Sequence, residues 1–180
     1  MPVKKQKKQK AFTLIEILVY SAILVTVVSV VVGFLFWALK NNARSKASTE
    51  SQDNARRAIE IMSSAIRQSI SVYTPTSIFD VNPGQLSLET KISPPTGETK
   101  TYKDFFVENY KLYLKEEGKS PEQITSDQVS VSSLVFKYLS PASGLENVQI
   151  DIIIDYNAPA GRSEFQSSTH LISTAVARGY

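Results

Sequence analysis

Cysteine is absent from the 180 residues, which excludes disulfides, thiolate-ligated zinc and cysteine nucleophiles. Histidine occurs once, as His170, so no histidine cluster is available to hold a metal. No glycine or proline lies between Gly33 and Pro75, so nothing in that stretch breaks a helix strongly. Acidic residues are missing ahead of Glu16, and ionisable residues of either sign are missing from Ile17 to Leu39.

What fills the last gap is apolar. The run Ile17–Leu39 holds about 23 residues, roughly 34 Å of helix, enough to cross a bilayer with slight tilt. A cleaved secretory signal is the rival reading, but its apolar region is usually about 7–15 residues and ends in small residues. Here the run leaves through Phe34-Leu35-Phe36-Trp37. Lys4, Lys5, Lys7, Lys8 and Lys10 precede it, and basic flanks stay cytoplasmic. Lys40, Arg44 and Lys46 follow it less densely, and Trp37 suits an outer interface belt. The expected orientation is therefore N-terminus in and bulk of the chain out. The formal net charge of +3 includes the five leader lysines, so the remainder carries −2. No basic stripe with interleaved aromatics is left, and no nucleic-acid partner is expected.

Past Leu39 the helical pattern turns amphipathic. Ala55, Ile59, Met62, Ile66 and Ile70 recur at steps of three and four, widened by Ala58, Ile61 and Ala65. Arg56, Arg57, Glu60, Ser63, Ser64 and Arg67 fall opposite. Thr74-Pro75 is the expected stop. Beyond it the period becomes two. Strands are expected over Gln85–Glu89, Lys100–Val107 and Tyr110–Lys115, the last two joined by a Glu108-Asn109 turn. Val129, Val131, Leu134, Phe136 and Tyr138 suggest another, of which the last three alternate cleanly. Val148–Tyr156 is the clearest, with Asp151 and Asp155 on its second face. After a turn at Asn157–Gly161 a last strand fits within Ser168–Arg178. These spans predict an α+β fold: a long N-terminal helix, membrane-spanning in its first half and amphipathic in its second, packed on one antiparallel sheet. The expected divisions are a leader at 1–11, a membrane helix at 12–39, its amphipathic continuation at 40–72 and a β-rich head at 73–180.

Candidate chemistry is sparse. His170 with Asp151 or Asp155 and a serine could form a triad on paper, but no G-x-S-x-G turn supplies a nucleophile. Asp151 and Asp155 could contribute to a calcium site, against the plainer reading of solvated acids on an outer face. No catalytic, cofactor-binding or metal residue is assigned, and no cofactor is expected. Glu16 is different, because a carboxylate inside a hydrocarbon span costs roughly 2.5–3.5 kcal/mol at the helix centre. It either reaches headgroup water at the interface or serves a function. A cut before Phe12 would expose an amine about four residues away, roughly one helical turn. In a stack of such helices each amine could neutralise a neighbour's carboxylate.

Ala11, then Phe12-Thr13-Leu14-Ile15-Glu16, then Ile17-Leu18-Val19, resembles the signature of the type IV pilin superfamily, which includes the pseudopilins of type II secretion systems. The family carries a basic leader, a small residue at the cut, this pentapeptide and an apolar helix. The resemblance implies cleavage between Ala11 and Phe12 by a prepilin peptidase, N-methylation of Phe12, and assembly through Glu16 into a helical filament. Ala11 stands where the family normally has Gly, a conservative change that bears on cleavage rate. Gly33 stands where many major pilins have a helix-loosening Pro. Farther along, Arg56–Ile70, Gln85-Leu86-Ser87-Leu88, Ile124-Thr125-Ser126 leading into Val131–Tyr138, Val148–Tyr156 and Ala177-Arg178 resemble minor pilins and J-type minor pseudopilins. The missing cysteine pairs of major pilins point the same way.

The expected function is thus a non-enzymatic minor pilin or pseudopilin of a pilus or type II secretion filament. Its implied partners are the prepilin peptidase/N-methyltransferase, other pilins, an inner-membrane assembly platform and membrane lipid. The implied location is the cytoplasmic membrane, with the head periplasmic or extracellular. The alternatives are a single-pass anchored binding protein or adhesin that does not assemble, and an anchored hydrolase using Ser and His170.

Overall fold

The computed structural model describes residues 13–139, 146–158 and 165–178. The chain forms two compact units, Met1–Asn42 and Ala43–Tyr180. Helix α1 runs from Leu14 to Gln68; it holds no proline, and it continues through its single glycine, Gly33.

In the first unit the apolar side chains of α1 are exposed, among them Ile17, Leu24, Val31 and Trp37. Its most apolar window has a mean hydropathy of 2.6, long and apolar enough to cross a membrane. The few hydroxyls in it are satisfied within the helix. Ser21 Oγ donates to Leu18 O at 2.8 Å, Thr26 Oγ1 to Ala22 O at 2.9 Å and Ser29 Oγ to Val25 O at 2.8 Å. A span in lipid requires that internal satisfaction, since no water is there to supply it.

In the second unit α1 buries Ala55, Ala58, Met62 and Ile66, with Ile59, Ile61 and Ala65 packed against that core. The stripe is longer and more polar than the apolar periodicity suggests. It extends N-terminally through Ala47, Ser51 and Asn54, and Ser63, expected on the outer face, is buried. Two of these polar residues find partners: Asn54 Oδ1 accepts the Ser126 N–H at 2.8 Å, and Ser51 Oγ lies 2.9 Å from Ser167 Oγ, whereas Ser63 Oγ has none among the described residues. The helix stops six residues before Thr74, and Ile70 leaves the stripe. Ser69 ends it, its Oγ donating to Ile66 O at 2.7 Å. The next N–H, of Ile70, is captured by Glu89 O at 2.8 Å. The expected stop at Pro75 gives way to strand pairing that begins earlier.

Among the described residues the strands form two antiparallel sheets rather than the single sheet expected. The first contains β1 (Ser71–Val72), β2 (Leu86–Thr90), β3 (Thr101–Glu108), β4 (Lys111–Glu116) and β5 (Glu122–Gln123), in that order. The second contains β6 (Val129–Leu139), β7 (Asn147–Tyr156) and β8 (Ser168–Val176). The β3–β4 turn sits at Asn109-Tyr110, one residue beyond the expected Glu108-Asn109. Both turn residues have positive φ, 49° and 60°, the geometry of a type I′ turn, whose twist matches that of the flanking strands.

Strand β6 carries a register shift between Val131 and Ser133. This bulge reverses the parity of the strand. Val129 and Val131, at odd positions, and Leu134 and Phe136, at even ones, are all buried. The edge of β6 is covered: Asp80 N–H donates to Phe136 O and Gly84 N–H to Leu134 O, while Asn82 Oδ1 accepts the Leu134 N–H at 2.9 Å. Gly84 suits that close approach, since a Cβ there would crowd Leu134 O at 3.2 Å and the Phe136 ring at 3.2 Å. A single core results, in which Phe105, Leu112, Phe136, Ile150, Ile152 and Ile154 meet Met62 and Ile66. Each such side chain contributes roughly 1.5–3 kcal/mol on burial.

Candidate processing and assembly site

The start of α1 is built by Thr13. Its Oγ1 accepts the Glu16 N–H at 3.3 Å, and its carbonyl accepts the N–H groups of Glu16 and Ile17 at 3.0 and 3.3 Å. Thr13 is therefore the N-cap and Glu16 the third residue of the first turn. Thr13-Leu14-Ile15-Glu16 has the spacing of a capping box. A carboxylate in the first turn also faces the positive end of the helix dipole, worth about 0.3–1 kcal/mol when exposed. Tyr20, one turn along, places its Oη 3.4 Å from Glu16 Oε1, at the outer limit of a hydrogen bond. Glu16 is partly covered, whereas the apolar neighbours Leu14, Ile15 and Ile17 are exposed. Thr13 and Tyr20 are missed by a reading centred on charge, although the T-x-x-E spacing and the i,i+4 spacing from Glu16 to Tyr20 both announce them.

Ala11 and Phe12 lie outside the described residues. Gly33 sits inside the continuous helix with open space where a Cβ would go, so no contact within the chain demands a glycine there. Phe34 and Trp37 pack as neighbours, ring centroids 5.9 Å apart.

The head candidates are brought together only in part. His170 on β8 and Asp151 on β7 share the outer sheet face, Nε2 to Oδ1 2.7 Å. Asp155 is on the same face two pairs away. No serine hydroxyl bonds to His170 among the described residues, so the arrangement is a cross-strand pair without a nucleophile. Among those residues no group of three or more His, Asp or Glu side chains is placed to hold a metal ion. Charge pairs elsewhere brace the first sheet. The Lys100 ammonium beside Glu89 holds that carboxyl below its ordinary range and is itself raised. Glu116 is likewise lowered, first by Lys103 at 2.7 Å and then by Lys119 at 2.5 Å. A carboxylate also joins the two sheets: Glu146 accepts the Val72 N–H from β1 and the Tyr138 hydroxyl from β6. The concavities are shallow, such as a groove of about 360 Å³ beside Glu60, Ser64, Lys103 and Leu114.

Residues 6–32 match the family model described as the prokaryotic N-terminal methylation motif. The matched segment includes Ala11, Phe12, Glu16 and the first turns of the span. The similarity to this motif is confined to that N-terminal segment. No curated protein matches it. Among solved structures, a type IV-like pilin from Thermus thermophilus is similar, with 10% identity, a TM-score of 0.48, and coverage of 71% of this chain and 96% of that one.

Proposed function

We propose that this protein is a non-enzymatic minor pilin or pseudopilin. A prepilin peptidase cuts between Ala11 and Phe12, Phe12 is N-methylated, and the mature subunit joins other pilins in a filament through Glu16. The carrying observation is that the methylation motif and the capped first turn of an uncovered apolar helix coincide on Glu16. Before assembly the subunit is stored in the cytoplasmic membrane, N-terminus inward, and among the described residues Glu16 has Thr13 and Tyr20 as its polar company. The amine freed at Phe12 of one subunit then neutralises Glu16 of the next. Helix contact in lipid rests on van der Waals packing and this polar pairing, because lipid tails are as apolar as the helix surface. The head projects outside the membrane, and an assembly platform moves the subunit into the filament.

The test is to shear filaments from cells carrying the cognate peptidase and platform, and to probe for the chain. It should be present in the sheared fraction as the shortened form and vanish from that fraction when the peptidase is deleted. A chain that stays wholly in the membrane fraction in both strains is an anchored protein, not a filament subunit.

A further inference from the structure

The head manages its sheet edges unevenly. Strands β1 and β5, the edges of the first sheet, are two residues each. The β6 edge is covered by residues 80–84 and by the hairpin, through Val131 N–H to Tyr110 O. Strand β8 is the exception. It is nine residues long, Ser-Thr-His-Leu-Ile-Ser-Thr-Ala-Val, with no proline, no lysine, no acid and no bulge in its pairing with β7. Those are the devices that usually blunt an edge.

The register shows which groups are free. Tyr156 N–H donates to Ser167 O, and Ala177 N–H to Glu146 O. In an antiparallel ladder hydrogen-bonded pairs alternate, so the odd-numbered residues of β8 turn their N–H and C=O toward β7. Those of Ser168, His170, Ile172, Thr174 and Val176 point away from it. The same five side chains are the exposed ones, with Ile172 55% and Val176 36% exposed.

We propose that β8 pairs antiparallel with β8 of a second copy, about a two-fold axis at Ile172, joining two three-stranded sheets into one. Two observations select this occupant. First, within a population of this chain, the other uncovered edges among the described residues are two-residue strands, so a long edge finds its match only in another β8. Second, the strand is self-complementary about its centre. Ile172 faces Ile172, His170 faces Thr174, and Ser168 faces Val176, with no like charges opposed and both exposed apolar side chains covered. All five outward-facing residues then sit in hydrogen-bonded pairs, giving about ten bonds. Such an isologous contact closes on itself. It makes pairs of heads, not a fibre, and does not depend on Glu16.

The absence of cysteine makes the test direct. Single-cysteine variants of the full-length protein are treated, in native membranes, with a bismaleimide that reaches less than about 10 Å. Opposed residues in a hydrogen-bonded pair are about 5.5 Å apart, whereas His170 and its own copy would be separated by four residues, about 14 Å. Ile172→Cys should cross-link to a dimer, and His170→Cys should not. His170→Cys co-expressed with Thr174→Cys should give the mixed dimer. Adding Ile172→Lys to that pair opposes two ammonium groups and should cut cross-linking about tenfold or more. That side chain is exposed, so an unchanged thermal midpoint confirms that the variant still folds. The same result in a Glu16→Ala background separates this contact from filament assembly. The proposal is overturned if Ile172→Cys gives no dimer, if His170→Cys cross-links to itself as well as Ile172→Cys does, or if the lysine leaves the mixed dimer unchanged.

Discussion

Replacing Glu16 by glutamine removes one charge and little else. The side chain keeps its length, its place three residues past the Thr13 cap, and an acceptor for Tyr20. In the stored monomer the change should be harmless. The carboxylate costs up to roughly 2.5–3.5 kcal/mol at mid-span and less near the interface, while its favourable position at the helix start returns about 0.3–1 kcal/mol. Insertion should therefore be as good or better in Glu16→Gln. Between subunits the balance reverses. A carboxylate and an amine about 4 Å apart attract by of order 4 kcal/mol at an effective dielectric near 20, about a thousandfold in a contact equilibrium. The assay is the ratio of chain in sheared filaments to chain in membranes, by quantitative immunoblot. Glu16→Gln should leave the membrane pool intact and lower the filament fraction by about two to three orders of magnitude. A filament fraction within about twofold of the parent, far inside that thousandfold range, would refute the pairing.

Four further outcomes follow from the same geometry. Gly33→Ala meets no atom and should stiffen the helix by about 1 kcal/mol. If local melting at Gly33 accompanies assembly, the variant will insert normally but enter filaments poorly; normal entry removes that role. Deleting Ser132 should be tolerated, because without the bulge Val129, Val131, Leu134 and Phe136 fall into one regular alternation. Deleting Val135 turns Phe136 outward and should cost about 3–5 kcal/mol. Thermal melts of the two variants compare them, and equal losses would contradict the assigned register. Replacing Lys103 and Lys119 by methionine should flatten the acid limb of stability. Glu116 is held below the ordinary carboxyl pKa of about 4.3, so its contribution is whole above that value and lost as pH falls through the lower folded one. Urea midpoints at pH 7 and pH 3 measure the limb, and a variant as acid-sensitive as the parent argues against the pairing. Gly84→Ala should cost about 1–3 kcal/mol through crowding against Leu134 O and the Phe136 ring, read as a lowered thermal midpoint; an unchanged midpoint would show that the loop yields freely.

Local patterns carried far in this chain, and non-local ones did not. The Ala55–Ile66 stripe and strand β7 were legible because burial period and element geometry coincide there. The β6 phase break between Val131 and Leu134 was visible, but its meaning required the partner strand. Division into two sheets rests on edge contacts such as Tyr110 O with Val131 N–H and Asp80 N–H with Phe136 O, which no periodicity encodes. The helix end at Gln68 depended on Glu89, a strand partner 19 residues beyond Ile70. Ser63 read as solvent-facing, and Ser51 and Asn54 carried no apolar signal; their burial follows from the covering sheets and, for the latter two, from Ser167 and Ser126. At the N-terminus the reverse holds. The proposed processing signal is a linear segment, so Ala11, Phe12 and Glu16 stand out in the sequence, and the T-x-x-E cap and Tyr20 were equally local signals.

Intact-mass and peptide spectrometry of the N-terminus, on protein from cells with an active prepilin peptidase, tests the central claim most directly. A filament subunit begins at Phe12 and carries one added methyl on its amine. A chain still retaining Lys10-Ala11 ahead of an unmodified Phe12 would have no amine to offer Glu16, and would contradict the claim.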